Sequence, residues 1–243
     1  MRMEWFKNWF DSPFYHLLYS NRDAIEAQQF IDHLLNHLQP PANSKMLDLA
    51  CGRGRHATYL AKKGFQITGI DLSPQSIAFA KQEERDNLDF YIADMRETFK
   101  ANYFDYVWNF FTSFGYFLEK SENLKSVQSI SKSLKPKGFV IIDFFNSQYV
   151  LDHLVSNEMK RVNGITFLIE RSVDQQFIRK KITFDDDGQK KSITERVRLF
   201  ELEDFQRMFS RSGLHILNTF GDYKLSNFDI LNSPRLIIIG QKT

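Results

Sequence analysis

The sequence predicts an α/β fold in which helices cover both faces of a mostly parallel β-sheet. Five short apolar runs have the length and composition of buried strands, and segments with helical patterning separate most of them. The runs occupy residues 46–50, 66–70, 88–92, 104–110 and 139–144, and the helical segments occupy residues 55–63, 74–85 and 121–134. Strands that alternate with helices are joined by right-handed crossovers, so we expect them to lie parallel in one sheet.

The two flanking regions have different patterns. Apolar residues recur at helical spacing over 22–38, which predicts an amphipathic helix that Pro40 and Pro41 end. After residue 146 we expect strands at 161–172, 176–185 and 191–200 (with a hairpin turn at 185–188), a helix at 201–212, and strands at 214–220 and 235–241. The expected organisation is a helical cap (1–44), a core (45–146 and 200–243) and an antiparallel β insert (147–199) that forms a substrate lid.

The composition indicates a globular protein with a full core. The chain has 243 residues, of which 42% are hydrophobic and 15% are aromatic, and this length suits one domain with an insert. Its 32 basic and 30 acidic residues are too balanced to indicate a nucleic-acid surface. A single cysteine excludes an internal disulfide, and no apolar run approaches the roughly 20 residues of a membrane helix. We therefore expect a soluble, cytoplasmic protein.

The loop after the first strand reads L-D-L-A-C-G-R-G-R-H over residues 47–56. Gly52 and Gly54 would let the backbone approach a ligand closely and would direct the amides of the next helix towards it. With Ala57 they also satisfy a loose dinucleotide-binding fingerprint, which is a weak signal when it stands alone. Cys51 could be a nucleophile, but a buried apolar role is favoured because free cysteine usually packs as a hydrophobic side chain. The glycines alone leave two classes of cofactor open.

Three acids distinguish between these cofactors. Asp48 lies inside the end of the first strand, where a buried carboxylate requires a hydrogen-bond donor. Asp71 ends the second strand, where its carboxylate can accept both ribose hydroxyls. Asp94 ends the third strand, where it can accept an adenine amino hydrogen while Met95 packs on the ring. Because three carboxylates would repel a pyrophosphate, the sequence predicts a cationic adenosyl compound.

The sequence therefore resembles the class I S-adenosylmethionine-dependent methyltransferases. The resemblance is carried by M-L-D-L-A-C-G-R-G-R-H-A (46–57), G-I-D-L-S-P-Q-S-I (69–77), Y-I-A-D-M (91–95), F-D-Y-V-W-N-F-F-T-S-F-G-Y-F (104–117) and L-K-P-K-G-F-V-I-I-D (134–143). It implies a Rossmann-like sheet of seven strands, the last one antiparallel to the rest, and S-adenosylmethionine as the cofactor. The residues that it implies around the nucleoside and the far side of the cofactor are Asp71, Leu72, Asp94, Met95, Asn109 and Phe110.

The resemblance also implies contacts at the methionine end of the cofactor. The first loop would supply Asp48, Ala50, Gly52 and Gly54. Ala50 departs from the family, which most often has glycine there, so we expect weaker binding at most. The N-terminal stretch 14–22 would cover this end as a lid, with Tyr19 packing on it and Arg22 pairing with the cofactor carboxylate. Simple packing of this stretch on the sheet is an equal alternative.

Candidate residues for the methyl acceptor lie after the fourth strand and in the insert. Phe114 and Tyr116 could face a sulfonium or an amine through cation–π attraction. Strand alternation places Arg171 and Glu195 on apolar faces, so each could bind substrate, and a structural Arg171–Glu195 ion pair is the alternative. No dedicated base is identifiable, and Tyr116, His16 and Glu195 are the candidates.

The sequence thus predicts metal-independent methyl transfer to a nitrogen or oxygen of a small molecule. Three alternatives stay open: a nicotinamide-dependent oxidoreductase, an RNA methyltransferase and a non-catalytic nucleotide-binding module. Asp48 and the lack of a catalytic Tyr-x-x-x-Lys motif count against the oxidoreductase. The expected partner is a small-molecule methyl acceptor rather than a nucleic acid or a membrane, and a homodimer is compatible with the sequence.

Overall fold

The computed structural model describes residues 4–20 and 24–243, which contain two β-sheets. Within these ranges the helices are α1 (Trp5–Phe10), α2 (Pro13–Leu18), α3 (Ala24–Leu38), α4 (Arg55–Lys62), α5 (Pro74–Ala80), α6 (Lys120–Ser133), α7 (Ser147–Asp152) and α8 (Leu202–Ser210). The strands are β1 (Lys45–Leu49), β2 (Gln66–Asp71), β3 (Leu88–Ile92), β4 (Phe104–Asn109), β5 (Leu134–Phe145), β6 (Asn157–Val162), β7 (Ile165–Val173), β8 (Phe177–Asp186), β9 (Gln189–Arg198), β10 (Leu214–Phe220) and β11 (Arg235–Lys242).

The larger sheet has seven strands in the order β10-β11-β5-β4-β1-β2-β3. Strands β1 to β5 pair in parallel, whereas β11 runs antiparallel to both of its neighbours, β5 and β10. The chain reverses its strand order between β3 and β4, and such a switch point creates a crevice at the carboxyl ends of the strands. The predicted α/β class and the antiparallel last strand are both confirmed.

Apolar runs in the central strands explain why this sheet is buried on both faces. Residues 140–142 of β5 and 237–239 of β11 are entirely inaccessible to solvent, as expected for strands that helices cover on either side. One core cluster lies between the sheet and α3 and α4, and a second lies between the sheet and α6 and α8. The sheet therefore forms a rigid platform for the loops at its carboxyl edge.

The smaller sheet is an antiparallel meander, β6-β7-β8-β9, and its apolar face packs against α1 and α2. The buried residues of this contact are Trp9, Leu18, Val162, Phe167, Ile169, Ile182 and Phe184. The expected turn at 185–188 is present, with Asp187 and Gly188 in the left-handed region that such hairpin turns require. The N-terminal helices therefore lie between the two sheets.

Several elements differ from those expected. Helix α7 and most of strand β6 lie in residues 147–160, where no element was expected, and α5 ends at Ala80 rather than at residue 85. The single strand expected at 161–172 is two strands, because Asn163 (φ 48°) and Gly164 (φ 84°) form a hairpin turn between Val162 and Ile165. Strand β5 begins at Leu134, five residues before the expected start, because its pairing with β4 accommodates a bulge. In the described residues, no helix combines the length and apolarity needed to cross a membrane.

Candidate active site

A cavity of about 320 Å³ lies at the carboxyl ends of β1 to β4. The loops that follow these strands line one side of the cavity, and α1 and α2 cover the other. This volume is near the lower end of the roughly 300–1,000 Å³ typical of small-ligand sites. Residues 147–199 are all described and none of them lines the cavity, so the insert can act on this site only through its neighbours.

The loop after β1 presents bare backbone to the cavity. Ala50 (φ 63°) and Gly52 (φ 55°) both adopt left-handed conformations, and a side chain added at Gly52 would meet no atom within 4 Å. Beneath them, the Asp48 carboxylate is 1% exposed and accepts the backbone N–H of Ala57 at 3.1 Å. This hydrogen bond is the donor that burial of Asp48 requires.

The Asp71 carboxylate lies beside the same loop. Its two oxygens accept the backbone N–H groups of Gly52 and Ser73, each at 2.8 Å. Burial raises the pKa of Asp71 in spite of these donors, and burial raises the pKa of Asp48 to about 7. Among the described residues no cationic side chain forms an ion pair with Asp71. Two acids of this kind favour a ligand that brings hydroxyl donors and positive charge.

The Asp94 carboxylate, in the loop after β3, belongs to an ion-pair network. Arg96 Nη2 lies 2.5 Å from Asp94 Oδ2, and Arg96 Nη1 lies 2.7 Å from carboxylate oxygens of both Glu4 and Glu122. Partial burial would raise the pKa of Asp94, but the hydrogen bonds and charge of Arg96 outweigh burial and lower it. Arg96 thereby links the start of α1 to the loop that holds Asp94.

Helices α1 and α2 are fastened over the cavity by side chains from β8 and β9. The Glu195 carboxylate accepts the Trp9 indole N–H at 2.7 Å and the Tyr19 hydroxyl at 2.9 Å. Lys180 Nζ donates to the Tyr19 oxygen at 2.6 Å. One carboxylate of the insert therefore holds both N-terminal helices, and we call α1 and α2 (residues 5–18) with the following Tyr19 the N-terminal lid.

A second attachment holds the lid at the other side of the cavity. Asp11, between α1 and α2, accepts the Ser73 hydroxyl at 2.5 Å and the backbone N–H of Gln75 at 2.8 Å. The Asp11 carboxylate thus lies at the amino end of α5, where unpaired N–H groups and the helix dipole favour negative charge. The lid is joined directly to the loop that contains Asp71.

Aromatic rings form the wall of the cavity between the lid and the loop after β4. They are Phe6, Phe10, Tyr15, Tyr19, Tyr116 and Phe117. The ring centroids of Phe10 and Tyr116 lie 5.2 Å apart, and those of Phe10 and Tyr15 lie 4.9 Å apart. The Tyr116 hydroxyl donates to the backbone oxygen of Thr112 at 2.6 Å. This wall can attract a cation through the faces of its rings.

Comparison with known proteins identifies the type of domain that carries this cavity. Residues 46–138, which include the loops of Asp48, Asp71 and Asp94, match the family model of the methyltransferase domain. These residues form a methyltransferase domain, and the fold and cofactor are those of S-adenosylmethionine-dependent methyltransferases. A protein of Geobacillus sp. (strain WCH70), named as a methyltransferase, is 28% identical over 241 residues, covering 92% of this chain and 93% of its own.

Two further comparisons extend over most of this methyltransferase. The dTDP-3-amino-3,4,6-trideoxy-alpha-D-glucopyranose N,N-dimethyltransferase of Streptomyces venezuelae is 26% identical over 213 residues, covering 83% of this chain and 89% of its own. The crystal structure of an S-adenosylmethionine-dependent methyltransferase from Clostridium acetobutylicum superimposes with a TM-score of 0.79 at 19% identity, covering 94% and 96% of the two chains. At that identity the structural likeness shows the fold.

The cofactor of this methyltransferase is S-adenosylmethionine. The bare backbone at Gly52 leaves room for close approach, and Asp71 is a half-buried acceptor beside it. The cavity also contains the predicted residues Asp48, Ala50, Leu72, Asp94, Met95, Phe110, Tyr19, Tyr116 and His16. Among the described residues no group of three or more metal-ligand side chains is present.

The structure places several other predicted site residues away from the cavity. Gly54 packs against Phe90, where an added side-chain carbon would lie 2.5 Å from the ring, so this glycine serves helix–strand packing. Asn109 is fully buried, and its amide donates to the Leu49 and Ser113 backbone oxygens. Phe114 is fully buried in the core beneath α8.

The ion pair between Arg171 and Glu195, offered as the alternative to substrate binding by these residues, is not formed, and neither residue lines the cavity. Arg171 lies opposite Lys180, and Lys180 lies opposite Glu195, so strand β8 separates the two residues. Arg171 pairs instead with Glu158 at 2.5 Å, while Glu195 holds the lid from outside the cavity. Arg22 lies outside the described residues.

Some residues at this site were not predicted from the sequence. Arg96 and Asp11 join the lid to two cofactor loops, and their partners are distant in sequence. The position of Asp143 could have been noticed in the sequence, since it interrupts an apolar run in I-I-D-F-F as Asp48 does in M-L-D-L-A. Cys51 is buried and its thiol pKa is raised well above its usual value by that burial, so it remains a packing residue.

Proposed function

We propose that this methyltransferase transfers the methyl group of S-adenosylmethionine to a nitrogen of a small molecule, with an oxygen acceptor as the second choice. The observation that carries the proposal is the small cavity closed by an aromatic lid. A cavity of about 320 Å³ beneath α1 and α2 has the size of a small-molecule site. The Streptomyces venezuelae relative, whose name describes an amino-sugar N,N-dimethyltransferase, supports a nitrogen acceptor.

The chain's own acids would hold the cofactor. Asp71 would accept the ribose hydroxyls, and Asp94 with Met95 would face the adenine. Asp48 would lie below the methionine part, where its negative charge favours the cationic end. Bound S-adenosylmethionine would supply an already activated methyl group. The protein would contribute orientation and exclusion of water, which can account for most of such a rate enhancement.

The aromatic wall would orient the acceptor. Phe10 and Tyr116 pack against each other in the cavity wall, and their rings would favour a nitrogen that gains positive charge during the transfer. Two of the candidate bases already make other hydrogen bonds: the Tyr116 hydroxyl donates to Thr112, and the Glu195 carboxylate accepts from the lid. His16 lines the cavity and remains the candidate to receive a proton from the acceptor.

The test is transfer of labelled methyl from S-adenosylmethionine to a panel of acceptors. The panel contains amino-sugar nucleotides, small amines, small alcohols and total RNA. We expect the labelled methyl group in a small amine. In a separate measurement, Asp71→Ala should weaken cofactor binding about 10-fold to 100-fold, because two hydrogen bonds to a charged group are lost. Label found only in RNA, or unchanged cofactor binding in Asp71→Ala, would contradict the proposal.

A further inference from the structure

The loop after β4 contains two consecutive strained residues at the edge of the cavity. Phe111 (φ 54°) and Thr112 (φ 61°) both adopt the left-handed conformation without being glycine. This conformation is unfavourable for any L-residue with a side chain, and it is a genuine outlier for a β-branched residue such as Thr112. Such strain persists only where the surrounding structure determines it, and it is concentrated at functional sites.

An ion pair behind the loop, in which the carboxylate is fully buried and the guanidinium side chain is 18% exposed, is hydrogen-bonded to both of these residues. Asp143, near the end of β5, is fully buried, and its Oδ1 lies 2.6 Å from Nη2 of Arg235 at the start of β11. Asp143 Oδ2 accepts the backbone N–H of Phe111 at 2.8 Å. Arg235 Nη2 donates to the Thr112 hydroxyl oxygen at 3.0 Å, and the Thr112 N–H donates to the Asp143 backbone oxygen at 3.0 Å. Each side chain of the pair thus bonds one strained residue.

The pair is a poor candidate for simple stabilisation. Removing two charges from water costs free energy that their attraction often fails to recover, and an apolar pair of similar volume is commonly no less stable. The Tyr223 hydroxyl makes a further hydrogen bond to Asp143 Oδ2 at 3.2 Å. A hydrogen-bonded network of this kind can specify one local conformation, which here is that of the loop.

The strained loop determines how two side chains face the cavity. The Phe111 ring stacks on His56, with centroids 5.0 Å apart and planes 6° apart. The Thr112 backbone oxygen receives the Tyr116 hydroxyl, which orients the Tyr116 ring against Phe10 of the lid. A change of backbone conformation at Thr112 would therefore move part of the aromatic wall.

We propose that Asp143 and Arg235 are positioning residues for methyl transfer, which hold Phe111 and Thr112 in the left-handed conformation so that Tyr116 meets the acceptor correctly. Neither residue lines the cavity. This role rests on the proposed function, since it concerns the acceptor side of the same site. The strained loop would therefore orient the methyl acceptor and would not bind the nucleoside.

The decisive variant is Thr112→Gly, because glycine adopts the left-handed conformation without strain but cannot receive the Arg235 hydrogen bond. We expect its urea midpoint to equal or exceed that of the wild type while kcat/KM for the acceptor falls at least 10-fold. The dissociation constant for S-adenosylhomocysteine should stay within about 2-fold. Thr112→Ser keeps the hydroxyl and should recover most of the lost turnover. A purely structural role would instead make turnover follow stability.

Arg235→Lys provides a second variant, read by amide hydrogen exchange in the protein without cofactor. It retains the charge but loses the planar fork, so protection of the Phe111 amide should fall at least 10-fold. Lys135→Met is the control, since it removes the Lys135–Asp105 ion pair at the other end of β4 and β5 and should leave that amide protected. Wild-type acceptor kinetics in Thr112→Gly, or unchanged Phe111 protection in Arg235→Lys, would overturn the positioning role. The wild-type protein could show a protected Phe111 amide and yet methylate no small molecule. That result would overturn the proposed function, and with it the positioning role.

Discussion

At the scale of single residues, Asp48 couples the site to pH. Its carboxyl is fully buried, and burial raises its pKa to about 7, with repulsion from Asp71 adding to the effect of burial. The Ala57 N–H and the charge of Arg55 act in the opposite direction. Near neutral pH the carboxyl is therefore partly protonated before any ligand binds.

We predict that affinity for S-adenosylmethionine rises as the pH increases through about 7. The positive charge of the cofactor would favour ionised Asp48 and lower its pKa, so binding would release a proton. Below about pH 7 this release opposes binding, and above it Asp48 is already ionised and the affinity levels off. Asp48→Asn keeps an acceptor for Ala57 and should give a flat profile. Calorimetry at several pH values measures the dissociation constant of S-adenosylmethionine for both proteins. If the affinity of the wild type and of Asp48→Asn changed equally with pH, the coupling would be refuted.

At the scale of elements, the insert acts on the cavity from a distance. None of its residues lines the cavity, yet Glu195 on β9 bonds Trp9 and Tyr19 of the lid. The backbone N–H of Arg198, at the end of β9, also donates to Gly115 in the loop after β4, at 2.8 Å. We therefore interpret the insert as a support for the lid, where the sequence predicted that it would be the lid itself.

Glu195→Ala should loosen the lid. The change leaves the Trp9 and Tyr19 donors without their charged acceptor, and each such bond contributes roughly 1.5–3 kcal/mol. Because part of this loss is recovered by water, we expect dissociation constants for S-adenosylhomocysteine about 10-fold higher.

The matched control for the lid is Arg171→Ala. It breaks the ion pair with Glu158 on the same insert, at a position that touches neither lid nor cavity. Affinity should stay within about 2-fold of the wild type. Equal losses in the Glu195 and Arg171 variants would indicate a general effect on the insert and would contradict the specific attachment of the lid.

At the scale of the whole molecule, the sequence predicted those features that follow from local pattern. The parallel sheet and the strand-end positions of Asp48 and Asp71 could be read because strand ends of a parallel sheet converge at one edge. The role of Arg171 could not be predicted. Strand alternation shows which face of the sheet a residue lies on, but it does not show that β8 lies between Arg171 and Glu195. Arg96 was missed for the same reason, because Glu4 and Glu122 reach it only after the fold has formed.

The central claim is that this cavity binds the cofactor through the three strand-end acids with the acceptor beneath the aromatic lid. A crystal structure with S-adenosylhomocysteine bound tests it most directly. We predict ribose hydroxyls within hydrogen-bond distance of Asp71, adenine beside Met95, and the sulfur facing the aromatic wall that contains Phe10 and Tyr116. A cofactor bound elsewhere, or one whose ribose lies away from Asp71, would contradict the account.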